Sequence, residues 1–214
     1  MQHTGGVSAA LPVPRTVAPG RRLPRRSVQL FAGLVLYGVS IALLVRSELG
    51  LMPWSVLDQG ISRSTGLTLG TVSILVGAVV LLLWVPLRQR PGVGTVANVF
   101  VIGLALDACL AVLPRVEALP PRLALVVAGV VLNALATASY IGVQLGPGPR
   151  DGLMTGLVRR TGRSVRLVRT GLEVVVVVLG VLLGGTIGLG TVVYALCIGP
   201  LVQLLLPRVT VALD

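Results

Sequence analysis

The chain has 214 residues, of which 54% are hydrophobic and 12% charged, and its mean hydropathy is +0.95. An ordinary soluble domain carries about a quarter of charged residues, so this composition excludes that class and indicates a membrane protein. The formal net charge is +11, and all 18 of the Lys and Arg residues counted in it are Arg. They lie mostly at the ends of apolar runs and not along one basic face, so nucleic acid is excluded as a partner.

The composition also argues against metal and redox chemistry. Cys109 and Cys197 both fall inside apolar runs, and His3, the only histidine, lies in a polar tail. Two thiols in such runs behave as small hydrophobic side chains and predict neither a disulfide nor a metal site. No histidine cluster or nucleophile motif is present, so the sequence predicts no cofactor and no enzymatic activity.

The chain begins with a polar segment and continues as apolar runs. Residues 1–26 are rich in Pro, Gly, Ser and Arg without periodicity, which predicts a disordered cytoplasmic tail. The first apolar run ends at Arg46 and not at a small-residue cleavage motif, so it predicts a signal anchor. Six runs come near the roughly 17–25 residues that cross a bilayer, and each must be helical because lipid offers the backbone no hydrogen bonds: Val28–Val45, Gly70–Leu87, Gly94–Leu113, Leu123–Val143, Val165–Leu183 and Gly188–Leu206.

The distribution of Arg sets the predicted orientation. With the N-terminus inside, 14 Arg residues fall on the cytoplasmic side and four on the outer side. Positive residues concentrate in cytoplasmic loops, so both termini are predicted to be cytoplasmic.

Two stretches interrupt the apolar runs, Leu49–Gly66 (LGLMPWSVLDQGISRSTG) and Leu145–Gly162 (LGPGPRDGLMTGLVRRTG). Ser55 and Asp151 are suited to cap a helix N-terminus, and the final glycines suit a helix C-terminus. Each stretch therefore predicts a helix of about ten residues, roughly 15 Å long and half the hydrocarbon thickness. Such a helix either enters the protein as a re-entrant element or lies at the membrane surface.

The two stretches belong to an internal duplication. Shifting the chain by 96 residues without gaps gives 26 identities over the 84 pairs from Ser27 to Leu110. Each copy holds three spans, an odd number, so the copies are predicted to be inverted with respect to each other. The predicted fold is an all-α integral membrane protein of six transmembrane helices, with repeats at residues 27–118 and 119–214 and a short helix after the first span of each.

Polar residues in or beside the spans are the candidate site, because such groups are costly in lipid. Asp107 lies well inside the third span, and charge alone points to Arg150 as its partner. Arg169 and Glu173 share a helix face at i, i+4 spacing, which also fits a structural ion pair. Asn98 and Asn133 fit interhelical hydrogen bonds. The candidate solute-binding or structural residues are Ser55, Asp58, Asp107, Arg150, Asp151, Arg169 and Glu173.

LGLMPWSVLDQG, LGPGPRDGLM (Leu145–Met154), the paired Gly-x-Gly-Thr segments and the Arg169–Glu173 helix together resemble the YczE/YitT-like bacterial membrane proteins. The resemblance covers about residues 26–207 and implies a multi-pass protein of the bacterial plasma membrane. It supplies no substrate or activity. Trp54-Ser55 stands where the family pattern has Trp-Asp, so a charge that the pattern supplies there is missing.

Two functions fit these features. The first is a transporter-like or channel-like protein with a site between the repeats, whose partners are the lipid bilayer and a small solute, with an anionic one as a candidate. The second is a non-transporting scaffold that acts through protein partners. Self-association into a homo-oligomer is compatible with both.

Overall fold

The computed structural model describes residues 23–211, and within this range every regular element is an α-helix. The predicted all-α class is therefore confirmed. In chain order the described helices are α1 (Leu23–Ser47), α2 (Pro53–Thr65), α3 (Leu69–Trp84), α4 (Val93–Val112), α5 (Leu119–Gly142), α6 (Pro149–Thr161), α7 (Val165–Leu182) and α8 (Leu189–Val209).

The bounds of the short helices repeat at the same 96-residue interval as the sequence. α2 and α6 begin and end at positions 96 residues apart, and each has 13 residues, slightly more than the ten predicted. Both end at a glycine in the left-handed region, Gly66 with φ of 76° and Gly162 with φ of 65°. The predicted C-terminal glycines are confirmed, because this conformation suits a residue without Cβ.

The number of candidate spans is smaller than predicted. α1, α4, α5 and α8 have the length and hydropathy needed to cross a membrane, and α2 with α3, a pair bent by 116°, makes a fifth if counted as one span. α3 has only 16 residues, and α7 carries Arg166, Arg169 and Glu173. The described range thus contains four to five candidate spans, where the sequence predicted six.

α1 starts inside the segment predicted as a tail. It begins at Leu23, and Arg26 is fully buried, with Nε donating to the Val143 carbonyl oxygen at 2.9 Å. Residues 1–22 of the predicted tail lie outside the described range. Arg122, the equivalent of Arg26, donates from Nε to the Ser47 carbonyl oxygen at 2.6 Å. Each Arg thus binds the end of the other repeat's first helix, so α1 and α5 are antiparallel.

Backbone hydrogen bonds also link the two repeats reciprocally. The Gly190 amide donates to the Leu49 carbonyl oxygen at 2.7 Å, and the equivalent Gly94 amide donates to the Leu145 carbonyl oxygen at 2.9 Å. Gly50, next to Leu49, has φ of 112°, and a Cβ built there would lie 2.5 Å from the Gly188 nitrogen. A side chain at Gly50 would therefore be strained and would also push the repeats apart.

We expect Gly50→Ala to lower the free energy of unfolding by about 1–3 kcal/mol, because it combines an unfavourable φ with a backbone collision. Thermal denaturation of the detergent-solubilised protein measures the loss. Gly171→Ala is the control, since a Cβ there has nothing within 4 Å and the site is a helix interior. Ala is a better helix former than Gly, so the control should match or exceed the wild type. Equal losses in both variants would contradict the proposed contact.

The core lies where α1 packs against α5. Leu34 and Leu44 of α1 are fully buried, as is Ala134 of α5. Within the first repeat α4 flanks α1, and within the second α8 flanks α5. The short helices pack across the repeats, α2 against α7 and α6 against α3.

The two repeats differ in one respect: α3 packs along α4, whereas α7 does not pack along α8 in the same way. On α3, Gly70 and Gly77 face α4; a Cβ at Gly70 would lie 2.1 Å from the Gly103 carbonyl oxygen. The positions 96 residues later on α7 are Arg166 and Glu173. These long side chains prevent the close approach that glycines permit, so a gap separates α7 from α8.

Candidate functional site

The N-terminal halves of α2 and α6 meet at an ion pair between the repeats. Arg150 Nη2 lies 3.3 Å from Asp58 Oδ2, and the Asp58 side chain is only 2% exposed. The Arg150 guanidinium carbon also lies 4.9 Å from the centre of the Trp54 ring, within range of a cation–π interaction. Three residues on two short helices thus form one contact across the repeats.

The start of α6 is held in place by α3. The Trp84 indole nitrogen donates to the Pro149 carbonyl oxygen at 2.9 Å. Its ring fills the space beside Gly152, where a Cβ would lie 1.9 Å from the ring. Only glycine fits there, so the Trp84–Gly152 contact fixes the position of Arg150 and Asp151 at the helix start.

Neither short helix has the N-cap predicted for it. Ser55 and Asp151 lie within the first turn, because the helices begin at Pro53 and Pro149. Proline suits the first helical position, and this preference places the N-cap one residue before it, at Met52 and Gly148. Neither cap residue offers a side-chain hydrogen bond. Both starts are buried, so their first-turn N–H groups lie inside the protein without a side-chain cap, and the first turn of α6 also carries the Asp151 carboxylate.

All three tyrosines of the chain lie around this region. The Tyr140 hydroxyl donates to Asp151 Oδ2 at 2.7 Å. The Tyr194 hydroxyl donates to Asn133 Oδ1 at 3.0 Å, and the Tyr37 ring lies edge-on to that of Tyr140 with 6.2 Å between centres. The hydroxyls give a buried polar lining to helices that are otherwise apolar.

A cavity of about 80 Å³ lies beside Arg150. A single water needs roughly 10–15 Å³ by this measure, so the cavity holds several waters or a small solute. Its polar lining comes from both repeats: Tyr37, Ser73, Asn98, Tyr140, Arg150 and Asp151.

Three other predicted site residues, Ser55, Arg169 and Glu173, lie on α2 and α7. Ser55 is buried, and its hydroxyl has no hydrogen-bond partner among residues 23–211. Arg169 Nε lies 3.0 Å from Glu173 Oε1, forming the expected i, i+4 pair. This pair lies on α7, which packs against both short helices.

Asp107 lies apart from the site, and the suggested pairing of Asp107 with Arg150 is wrong. Asp107 Oδ1 accepts from the Gly70 amide at 2.7 Å, and its Oδ2 accepts from the Thr68 hydroxyl at 2.5 Å. It binds the N-terminus of α3, where a carboxylate satisfies the free amides. Arg150 pairs instead with Asp58.

The tyrosines were missed because an isolated Tyr in an apolar run has no motif. One signal was present in the repeat: Tyr37 is equivalent to Asn133, and Asn98 to Tyr194. Both repeats thus keep a polar side chain at the same two positions with the residue types exchanged. Asn133 indeed makes interhelical bonds, donating from Nδ2 to the Ser40 hydroxyl at 2.8 Å.

Nothing in the described range resembles a metal centre, since residues 23–211 contain no group of three or more His, Cys, Asp or Glu side chains arranged to hold an ion.

Residues 24–207 match the family of unknown function DUF6198. An uncharacterized protein of Haemophilus influenzae is 44% identical over 180 residues, which cover 84% of this chain and 82% of that protein. The uncharacterized membrane protein YczE of Bacillus subtilis is 31% identical over 180 residues, 83% of this chain and 84% of its own length. The uncharacterized protein YyaS of the same organism is 28% identical over 181 residues, 83% and 90% of the two chains. No solved structure matches. The resemblance to YczE-like membrane proteins is confirmed.

Proposed function

The chain belongs to DUF6198, a family of unknown function, and on that premise we propose that it carries a small solute with an anionic group across the bacterial plasma membrane. The proposal assigns no catalysed reaction and no cofactor. The single observation that carries it is a cavity lined by both repeats at the buried start of one short helix, α6, whose Arg150 pairs across the repeats with Asp58 of the other short helix. Discontinuous helices that present their N-termini near the midplane are a recurrent device for binding anionic groups in transporters.

The proposal includes a six-span architecture of two inverted repeats, with α3 and α7 completing the crossings. Two reciprocal sets of contacts support it, because Arg26 and Arg122, like Gly94 and Gly190, each bind the opposite repeat. Such an exchange is expected when halves are related by a two-fold axis in the membrane plane. The concentration of Arg on one side supports cytoplasmic termini.

An anionic group in the cavity would meet one cation, Arg150, and one carboxylate, Asp151. The side chain of Arg150 lines the cavity and is 27% exposed. The nearby carboxylates already have partners, since Asp58 pairs with Arg150 and Asp151 accepts from Tyr140. A carboxylate or phosphate in the cavity would receive hydrogen bonds from the guanidinium of Arg150, a strong donor to anions.

A growth and uptake screen of a deletion strain tests the proposal, using small carboxylates, inorganic phosphate, phosphonates and amino acids as probes. If a probe depends on the gene, Arg150→Ala should reduce its uptake at least about tenfold, because a hydrogen bond to a charged group is worth about 1.5–3 kcal/mol. Asp151→Asn should also reduce uptake. Membrane levels are compared by immunoblot, so that lost uptake is separated from lost protein.

Arg159→Ala is the matched control, because Arg159 lies in the same helix but is exposed. It should retain wild-type uptake. Wild-type uptake in both Arg150→Ala and Asp151→Asn, at normal membrane levels, would contradict the transport proposal and favour the scaffold alternative.

One observation favours that scaffold alternative. The gap between α7 and α8 leaves the Gly199 face of α8 open, since a Cβ at Gly199 would have nothing within 4 Å. At the equivalent Gly103 of α4, a Cβ would lie 2.6 Å from the Gly70 carbonyl oxygen on α3. A partner helix fits such an uncovered face, and cross-linking from a cysteine at Gly199 would detect it.

A further inference from the structure

Arg150 lies between a cavity and a buried carboxylate. Its guanidinium lines the cavity and also lies 3.3 Å from Asp58 Oδ2. Asp58 is almost completely buried and does not line the cavity. A ligand in the cavity therefore meets Arg150 but not Asp58, and the two compete for one cation.

Asp58 is poorly satisfied as a charged group. Its Oδ1 atom is buried and has no hydrogen-bond partner among residues 23–211. Its charge is balanced by the contact with Arg150 alone, at a distance longer than a strong charged hydrogen bond. A buried carboxylate in this situation is stable while Arg150 stays and becomes costly when Arg150 turns away.

Other charged or titratable groups near α2 are engaged elsewhere. On α6, Asp151 accepts from Tyr140; on α7, Arg169 and Glu173 pair with each other. α3 contributes the neutral Ser73 beside Asp58, and α1 contributes the Tyr37 hydroxyl, which lies 3.9 Å from the Met52 sulfur. Arg150 is therefore the charge that acts on Asp58.

We propose that Asp58 is a proton-binding site that couples binding of the anionic solute to uptake of one proton. When the carboxylate accepts a proton, an O–H bond forms and its negative charge is lost. Arg150 then loses its ion-pair partner and binds the anionic group in the cavity. This proposal rests on the proposed function, and it adds the driving ion to it.

The coupling works in both directions. Binding of the anion withdraws Arg150 from Asp58, which leaves an unpaired buried carboxylate and raises its affinity for a proton. Binding of the proton frees Arg150, which raises the affinity for the anion by the same factor. Anion and proton therefore bind together, as symport requires.

The fluorescence of Trp54 reports protonation of Asp58 in the absence of any solute. It is one of only two tryptophans, and Arg150 lies against its ring. Trp84 holds the start of α6 and is kept, so subtracting the signal of the Trp54→Phe variant isolates the emission of Trp54. We expect its fluorescence in detergent to show a one-proton transition between about pH 4 and about pH 9, the range in which buried carboxyl groups titrate. Asp58→Asn should abolish the transition and fix the signal at its low-pH value.

Asp107→Asn is the matched control, because Asp107 is an acidic residue bonded to a neighbouring helix, and it has no contact with Arg150. It should keep the transition. A flat wild-type signal, or a transition that persists in Asp58→Asn, would overturn the proposal. If Asp58→Asn fails to fold, the double variant Asp58→Asn, Arg150→Gln, which removes both charges, must show no transition.

The test is independent of the transport assay. It uses no solute, so a flat signal with Arg150-dependent uptake would remove the coupling and keep the solute site. A clear transition with uptake unaffected by Arg150→Ala would keep the proton site and remove the transport proposal.

Discussion

Replacing Gly70 with Leu is expected to abolish or strongly reduce accumulation of folded protein in the membrane. A Cβ at this position would lie 2.1 Å from the Gly103 carbonyl oxygen and 2.5 Å from the Asp107 carboxyl carbon. Neither neighbour is free to move, because one is helix backbone and the other accepts from the Gly70 amide. Overpacking costs about 1–3 kcal/mol even where side chains can adjust, and a backbone collision exceeds that range. Size-exclusion chromatography and thermal denaturation in detergent measure the effect.

The repeat supplies a matched control for this prediction. Arg166 is the position equivalent to Gly70 on α7, and it is exposed. Arg166→Leu introduces the same side chain and should change stability by no more than about 0.5 kcal/mol, as surface substitutions usually do. A comparable loss in both variants would contradict the claim that α3 packs against α4 while α7 stands away from α8.

Replacing Arg150, and so breaking its ion pair with Asp58, is expected to cause the second large loss of stability. Arg150→Met leaves the Asp58 carboxylate buried without a counter-ion, and breaking a buried pair in this way costs about 3–5 kcal/mol. Asp58→Leu should cost less, because Arg150 is partly exposed and turns into the cavity. Denaturant or thermal unfolding in detergent measures both losses.

The double variant Asp58→Leu, Arg150→Met completes the thermodynamic cycle. It removes both charges and should be more stable than Arg150→Met alone, since apolar replacement of a buried ion pair is often neutral or stabilising. Losses that simply add would show that the two side chains do not interact. That result would also remove the basis of the proton site.

Local sequence features predicted the short helices well and their first residues poorly. The glycines at 66 and 162 end both helices as expected, because a left-handed C-terminus is a local requirement. Ser55 and Asp151 are not the N-caps that the sequence predicts. Proline two residues earlier in each copy competes for the helix start, and its fixed φ prevailed. In both cases the physical cause lies within a few residues of the chain.

The composition of the site could be predicted only in part. Asp58, Arg150 and Asp151 were selected because charge in an apolar chain is costly, and the fold brings them together. The three tyrosines were not selected, since each is compatible with an ordinary apolar helix. Asp107 was selected for the same reason as Asp58 but lies elsewhere, because a carboxylate is also an effective partner for the start of a neighbouring helix.

Composition and local sequence are sufficient to predict the all-α membrane class, the duplication and the approximate bounds of most helices. These properties follow from composition, from the need to satisfy every backbone group in lipid, and from residues close together in the chain. The pairing of Arg150 with Asp58, and the gap between α7 and α8 where α3 and α4 are in contact, arise only when the helices pack together. Those outcomes depend on how closely two helices approach and how each is rotated. Glycines at 70 and 77 permit a contact that Arg166 and Glu173 prevent, and nothing in either helix alone reveals which surface it will meet.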